Sequence, residues 1–201
     1  VKYPPRHWSL SLIGDRLALW TEENYSAVDK LLILDAINLD WAFNYSFVAP
    51  EGTPLSSEHV TENKNEIDSS SLLKKIFFTQ PHLHLFSFDC DMFNFRIEFL
   101  KQPPDYWVEH DFPDLKHDKP IFYCLFRNSN NDTAWKEISQ VEYLLLSLFE
   151  KGSSIEKACD WLEKQDEALC EVAMKNLHLW FQEWTVRRWL TSTPSSILQG
   201  T

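Results

Sequence analysis

His82 and His84 are the first residues in the chain whose spacing could do chemistry. On a strand they would share a face and could ligate a metal. No third ligand stands beside them, so a core or surface role is the plainer reading. His110 and His117, among Glu109, Asp111, Asp114 and Asp118, could gather a cation, but a solvated acidic loop is the plainer reading. Asp35 and Asp40 fall on different faces of a helix and make a poor acid–base pair. The sequence holds no nucleophile elbow, phosphate loop or dinucleotide fingerprint, and its four glycines leave little material for cradling phosphates. No metal, no cofactor and no catalysis are therefore expected.

The elements that would position a site are clearest between Ile121 and Leu162. Ile121–Arg127 is apolar, aromatic and β-branched, which is strand composition. Residues 128–132 are Asn-Ser-Asn-Asn-Asp, residues that tolerate left-handed backbone and bond their own main chain. Thr133–Ile138 alternates, with Ala134 and Lys136 on one face and Thr133, Trp135 and Glu137 on the other. The pattern predicts a β-hairpin. A helix should follow: Ser139 and Glu142 have capping-box spacing. Val141, Leu144, Leu145, Leu148 and Phe149 make its apolar face, and Gly152 closes it. Ser153 and Glu156 repeat the capping box before Ile155, Ala158, Cys159 and Leu162. Two helices across a glycine turn read as a helix-turn-helix.

Upstream, helices are predicted within Trp8–Trp20 and from Ala27 to about Phe47, and residues 56–71 are polar and linker-like. Strand material lies in Leu72–Phe88. Met92–Leu100 suits a short helix or strand, and Gln102–Lys119 reads as a loop. Downstream, Glu167–Leu190 should be a long helix with Val172, Leu177, Trp180, Phe181 and Trp184 on its apolar face and Met174 at the flank. The fold class is α+β: a mainly helical N-terminal piece (1–55), a linker (56–71), and an antiparallel sheet with a three-helix, winged-helix-like unit (72–201).

Composition narrows the function classes. The 201 residues are 44% hydrophobic and 14% aromatic, with nine tryptophans, enough for a large core. The net charge of −11 opposes a general affinity for nucleic acid or anionic membranes, which rests on Lys and Arg. No apolar run approaches membrane-spanning length and no secretory signal is present. Cys90, Cys124, Cys159 and Cys170 show no metal or redox spacing, so a reducing, cytoplasmic setting is expected.

A helix-turn-helix invites a DNA-binding reading. Its second helix would present Glu156, Lys157, Asp160, Glu163, Lys164 and Gln165, three acids against two lysines, a face without net attraction for phosphates. Arg187 and Arg188 would be the other basic contacts, and they suit a helix C-terminus equally.

Several short motifs carry a family resemblance. The run Leu34-Asp35-Ala36-Ile37-Asn38-Leu39-Asp40-Trp41-Ala42-Phe43 resembles a helix typical of bacterial proteins of the HvfC/BufC type, a family described as DNA-binding. Asp40 stands where members usually carry Glu. Tyr3-Pro4-Pro5, Leu12-Ile13-Gly14, Ala49-Pro50, Pro54-Leu55, Gln80-Pro81-His82-Leu83 and Glu142–Trp161 resemble further family segments. The resemblance implies either a transcriptional regulator or a non-catalytic partner of MbnB-like metalloenzymes, which modify ribosomally made peptides. In the second role the partner holds the precursor peptide; Asp40 and Trp41 are either a buried cap and core anchor, the plainer reading, or part of its enzyme-facing surface. The acidic balance favours the second role.

The predicted element order is similar to that of leader-recognition domains, and that resemblance implies that the peptide binds as an added strand. The predicted strand Thr133–Ile138 offers Trp135 as an anchor, with Lys136 and Glu137 discouraging self-association; the equal alternative is that Trp135 is buried against the chain's own helices and the edge is already paired, for instance by Leu83–Phe88. Trp180 or Trp184 on the last helix would supply a second wall.

Overall fold

The computed structural model describes residues 14, 16–55, 73–103, 105–111 and 115–194, with backbone alone for 116–118. The helices are α1 (Leu17–Asn24), α2 (Lys30–Val48), α3 (Met92–Lys101), α4 (Tyr106–Glu109), α5 (Gln140–Glu150), α6 (Ile155–Leu162) and α7 (Glu167–Val186). The strands are β1 (Ile76–Thr79), β2 (His84–Cys90), β3 (Lys116–Arg127), β4 (Thr133–Ile138), β5 (Ser153–Ser154) and β6 (Leu190–Thr191). The fold is α+β. Its strands form two three-stranded sheets, ordered β5-β1-β6 and β2-β3-β4, rather than the single sheet expected.

Contacts divide the chain into two compact units, one of Val1–Tyr45 with Phe86–Ile121 and one of Ser46–Leu85 with Phe122–Thr201. The linker expected at 56–71 lies outside the described residues.

In the first unit, α2 buries Leu39 and Ala42, and α3 buries Met92 and Phe93. Asp91 caps α3 by accepting the Asn94 N–H at 3.2 Å, which resolves that segment as a helix. The region expected to be a loop contains α4 and the start of β3. Loop-like composition at Lys116–Pro120 yields there to cross-strand pairing, a common tertiary override of local preference.

In the second unit, Ser139 caps α5 by accepting the Glu142 N–H at 3.1 Å. Gly152 follows at φ 83°, a left-handed conformation that other residues take only with strain. Ser153 does not cap the next helix. It pairs with Phe77 in the small sheet, and Ser154, one residue later, caps α6 by accepting the Lys157 N–H at 3.2 Å. α7 ends four residues before the expected Leu190, because Arg188 turns left-handed (φ 60°) and Trp189 N–H bonds back to Trp184 O at 2.8 Å. That turn releases Leu190 and Thr191 to pair with β1.

The second unit's core joins Cys124 and Phe126 of β3, Leu145, Leu146 and Phe149 of α5, Trp180 and Trp184 of α7, and Trp189. Leu146 lies deeper than the Leu144 expected from periodicity. Val172 and Met174 are exposed, and Ala173 takes the buried position instead.

Candidate functional site

The β3–β4 hairpin forms as its residues predict. Asn128 Oδ1 accepts the N–H groups of Asn130 and Asp132, each at 2.9 Å, and Asn131 adopts φ 65°. β4 pairs antiparallel with β3, from Arg127↔Thr133 to Phe122↔Ile138. β4 is the terminal strand of its sheet among the described residues.

The phase of the ladder follows from one bond, Asn128 N–H to Asp132 O at 2.9 Å. Counting in twos, Ala134, Lys136 and Ile138 exchange hydrogen bonds with β3. The main-chain groups of Thr133, Trp135 and Glu137 are therefore directed to the outer edge. The same phase aims Arg127 N–H away from β4, where it bonds His82 Nδ1 at 3.2 Å.

Side chains divide by the alternation of the strand. Ile138 is buried and Ala134 packs against the core on the helix-facing side. Lys136, on that same side, meets Glu183 of α7 at 2.5 Å. Trp135 and Glu137 are exposed on the other face, with Trp135 39% accessible. Trp180 and Trp184 lie in the core, and Trp184 is fully buried. The structure thus brings Lys136 to α7 and separates Trp135 from the two tryptophans expected to share a wall with it.

A groove of about 530 Å³ opens between the hairpin turn and the C-terminal half of α7. Phe126, Leu179 and Val186 supply its apolar surface, and Asn128, Ser129, Gln182, Glu183, Arg187 and Arg188 its polar one. Arg187 lies over the Phe126 ring at 5.3 Å and donates through Nε to Glu183 at 2.8 Å. Burial pushes the Glu183 carboxyl up, but the hydrogen bonds and charges of Lys136 and Arg187 outweigh it and hold the group below its ordinary range. Arg188 pairs with Glu51 at 2.9 Å.

Arg127 holds a second polar centre in the same unit. Its guanidinium donates to the carbonyls of Ser46, Phe47 and Ala49, at 3.4, 3.2 and 2.9 Å, closing the end of α2. It also lies 3.9 Å from Glu51. Gln80 both donates to and accepts from the Gly52 main chain.

His82 is buried in the turn before β2 rather than on a strand face with His84. Burial and the Arg127 charge lower its pKa to about 4, and burial lowers His84 to about 4. Among the described residues no cluster of three or more His, Cys, Asp or Glu could hold a metal.

Of the other candidate residues, Asp40 is exposed and meets Arg96 at 3.3 Å. Trp41 is half-buried near Gly14. Lys157 and Lys164 are exposed and distinct from the Arg187–Arg188 pair, whose guanidinium groups are engaged by carboxylates. The cation cluster at Arg127, Lys136, Arg187 and Arg188 went unforeseen as a unit. An arginine closing an apolar strand was the available signal. No family model matches the chain, and no curated protein matches it. No helix among the described residues is long and apolar enough to cross a membrane.

Proposed function

We propose that this protein is a non-catalytic peptide-binding partner subunit. An extended segment of a precursor peptide adds along the outer edge of β4, and the protein presents it to a metalloenzyme of the MbnB type. One observation carries the reading: among the described residues β4 is a terminal strand, and its ladder phase directs main-chain groups of Thr133 and Glu137 outward. The order α5, β5, α6, α7, β6 is winged-helix-like in this reading, and the exposed Asp40 on α2 belongs to the enzyme-facing surface. The enzyme part rests on the family resemblance.

The regulatory DNA reading has less support. On α6 and just after it, the exposed Lys157 and Lys164 stand among Glu156, Asp160 and Glu163, and the overall charge is −11.

The test is amide hydrogen exchange with synthetic acetylated, amidated 12-residue peptides of alternating Val and Thr. Slowed exchange at Thr133 and Glu137 supports the reading. Protection confined to α6, or none anywhere, contradicts it. For the enzyme part, Asp40→Arg should abolish co-purification with a co-expressed MbnB-type enzyme; retention would remove Asp40 from the interface.

A further inference from the structure

The groove at the hairpin tip carries more positive charge than its ion pairs consume. Arg187 and Lys136 share Glu183, while Arg188 and Arg127 share Glu51. Two of these four cations, Arg187 and Arg188, line the groove itself, where Glu183 is the one lining carboxylate, in a chain whose net charge is −11. Arg187 and Arg188 keep 41% and 46% of their side chains accessible at the groove. Each guanidinium has five N–H donors, so engaging one carboxylate leaves others available to a second acceptor. The two glutamates also fix the direction of the guanidinium groups, lowering the ordering cost of binding.

The groove walls are apolar beside this charge. Leu179 is 51% and Val186 82% accessible, and Phe126 forms the floor beneath Arg187. Arg188 also stands in a left-handed conformation (φ 60°) that glycine ordinarily occupies at a helix end. Residues kept in such conformations cluster at ligand sites.

We infer that this groove receives an acidic side chain of the bound peptide, with an adjacent apolar residue against Leu179 and Val186. The inference deepens the peptide-binding reading and rests on it. The geometry suits one peptide, because Thr133, the first residue of β4, is the register partner of Arg127 beside the groove-lining turn. A carboxylate fits better than a nucleic-acid backbone: the surplus charge is confined to one groove flanked by apolar walls, and phosphate tracking needs a basic stripe.

The experiment uses dye-labelled, terminally capped 12-residue Val/Thr peptides carrying Leu-Glu at one end or the other, and matched Leu-Gln controls. Anisotropy titrations should show one Leu-Glu peptide binding about tenfold more tightly than its control. Arg188→Gly removes the guanidinium at a backbone position glycine favours, and Val186→Glu places a repelling charge at an exposed site. Arg188→Gly should erase the Glu advantage, and Val186→Glu, which also disturbs the wall for the peptide's Leu, should erase it while weakening both peptides. An unlabelled all-Val/Thr peptide should compete equally well for wild type and both variants. Equal binding of Glu and Gln peptides to the wild type overturns the groove assignment while leaving the β4 edge intact. Binding of neither peptide overturns both. Displacement of the Glu peptide by a 20-base-pair duplex, sensitive to Arg188→Gly, would reassign the groove to phosphate.

Discussion

The Trp184 indole N–H donates to Glu142 Oε1 at 3.0 Å, with both side chains buried. A glutamate at the capping-box position usually turns back to the helix start. Here it turns into the core and satisfies the donor that a buried tryptophan must place. Burial pushes the Glu142 carboxyl above its ordinary value, against the smaller opposing effects of the Trp184 hydrogen bond and Lys136.

A pH dependence follows. A carboxyl whose folded pKa is raised stabilises the fold fully below its unfolded value and loses that contribution as pH rises through the folded value. Glu142→Gln keeps an acceptor for Trp184 without the charge. Urea unfolding at pH 5 and pH 8 should show the variant gaining stability relative to wild type at the higher pH. An unchanged difference between the two pH values would mean that Glu142 is not desolvated.

His82 gives the opposite sign. Its imidazole stays neutral in the fold down to about 4, whereas the unfolded chain protonates it from 6.5. Stability attributed to the neutral ring is present above pH 6.5 and is lost as pH falls toward 4, by on the order of 3 kcal/mol. His84 adds a similar slope. His82→Asn preserves an acceptor for Arg127 N–H, so it should reduce the loss of stability between pH 6.5 and 5. A variant with the wild-type slope would remove His82 as a source.

Gly152→Ala should destabilise the protein by more than the ~1 kcal/mol expected for leaving a left-handed glycine. The added methyl would strike the Phe78 ring as well as strain φ. Phe78→Leu should restore part of the loss in the double variant. A thermal midpoint unaffected by Gly152→Ala would show that the β5 turn can shift freely.

How much of this was legible depends on the range of the interaction. The hairpin turn and β4 were readable to the residue, because alternation at Thr133–Ile138 and the Asn-rich turn act locally, whereas the start of β3 at Lys116 was not. Gly152 was readable for the same reason. The cap moved from Ser153 to Ser154 because both serines pair with β1, Ser153 with Phe77 and Ser154 with Ile76, and the helix starts only after that distant pairing ends. Arg127 reaches carbonyls 78 to 81 residues away, which no spacing rule covers. Trp135 and Trp184 were separated by a question sequence cannot answer, namely which strand face meets α7. Lys136 answers it through Glu183.

The central claim is that a peptide adds to the outer edge of β4, and paired proline substitutions test it most directly. Glu137→Pro removes an outward donor and leaves the β3–β4 ladder intact, whereas Lys136→Pro removes a donor to β3. Measured together, thermal unfolding and peptide anisotropy should show Glu137→Pro folded near the wild-type midpoint with peptide binding abolished, and Lys136→Pro strongly destabilised. A folded Glu137→Pro variant that binds the peptide as wild type does would contradict the account.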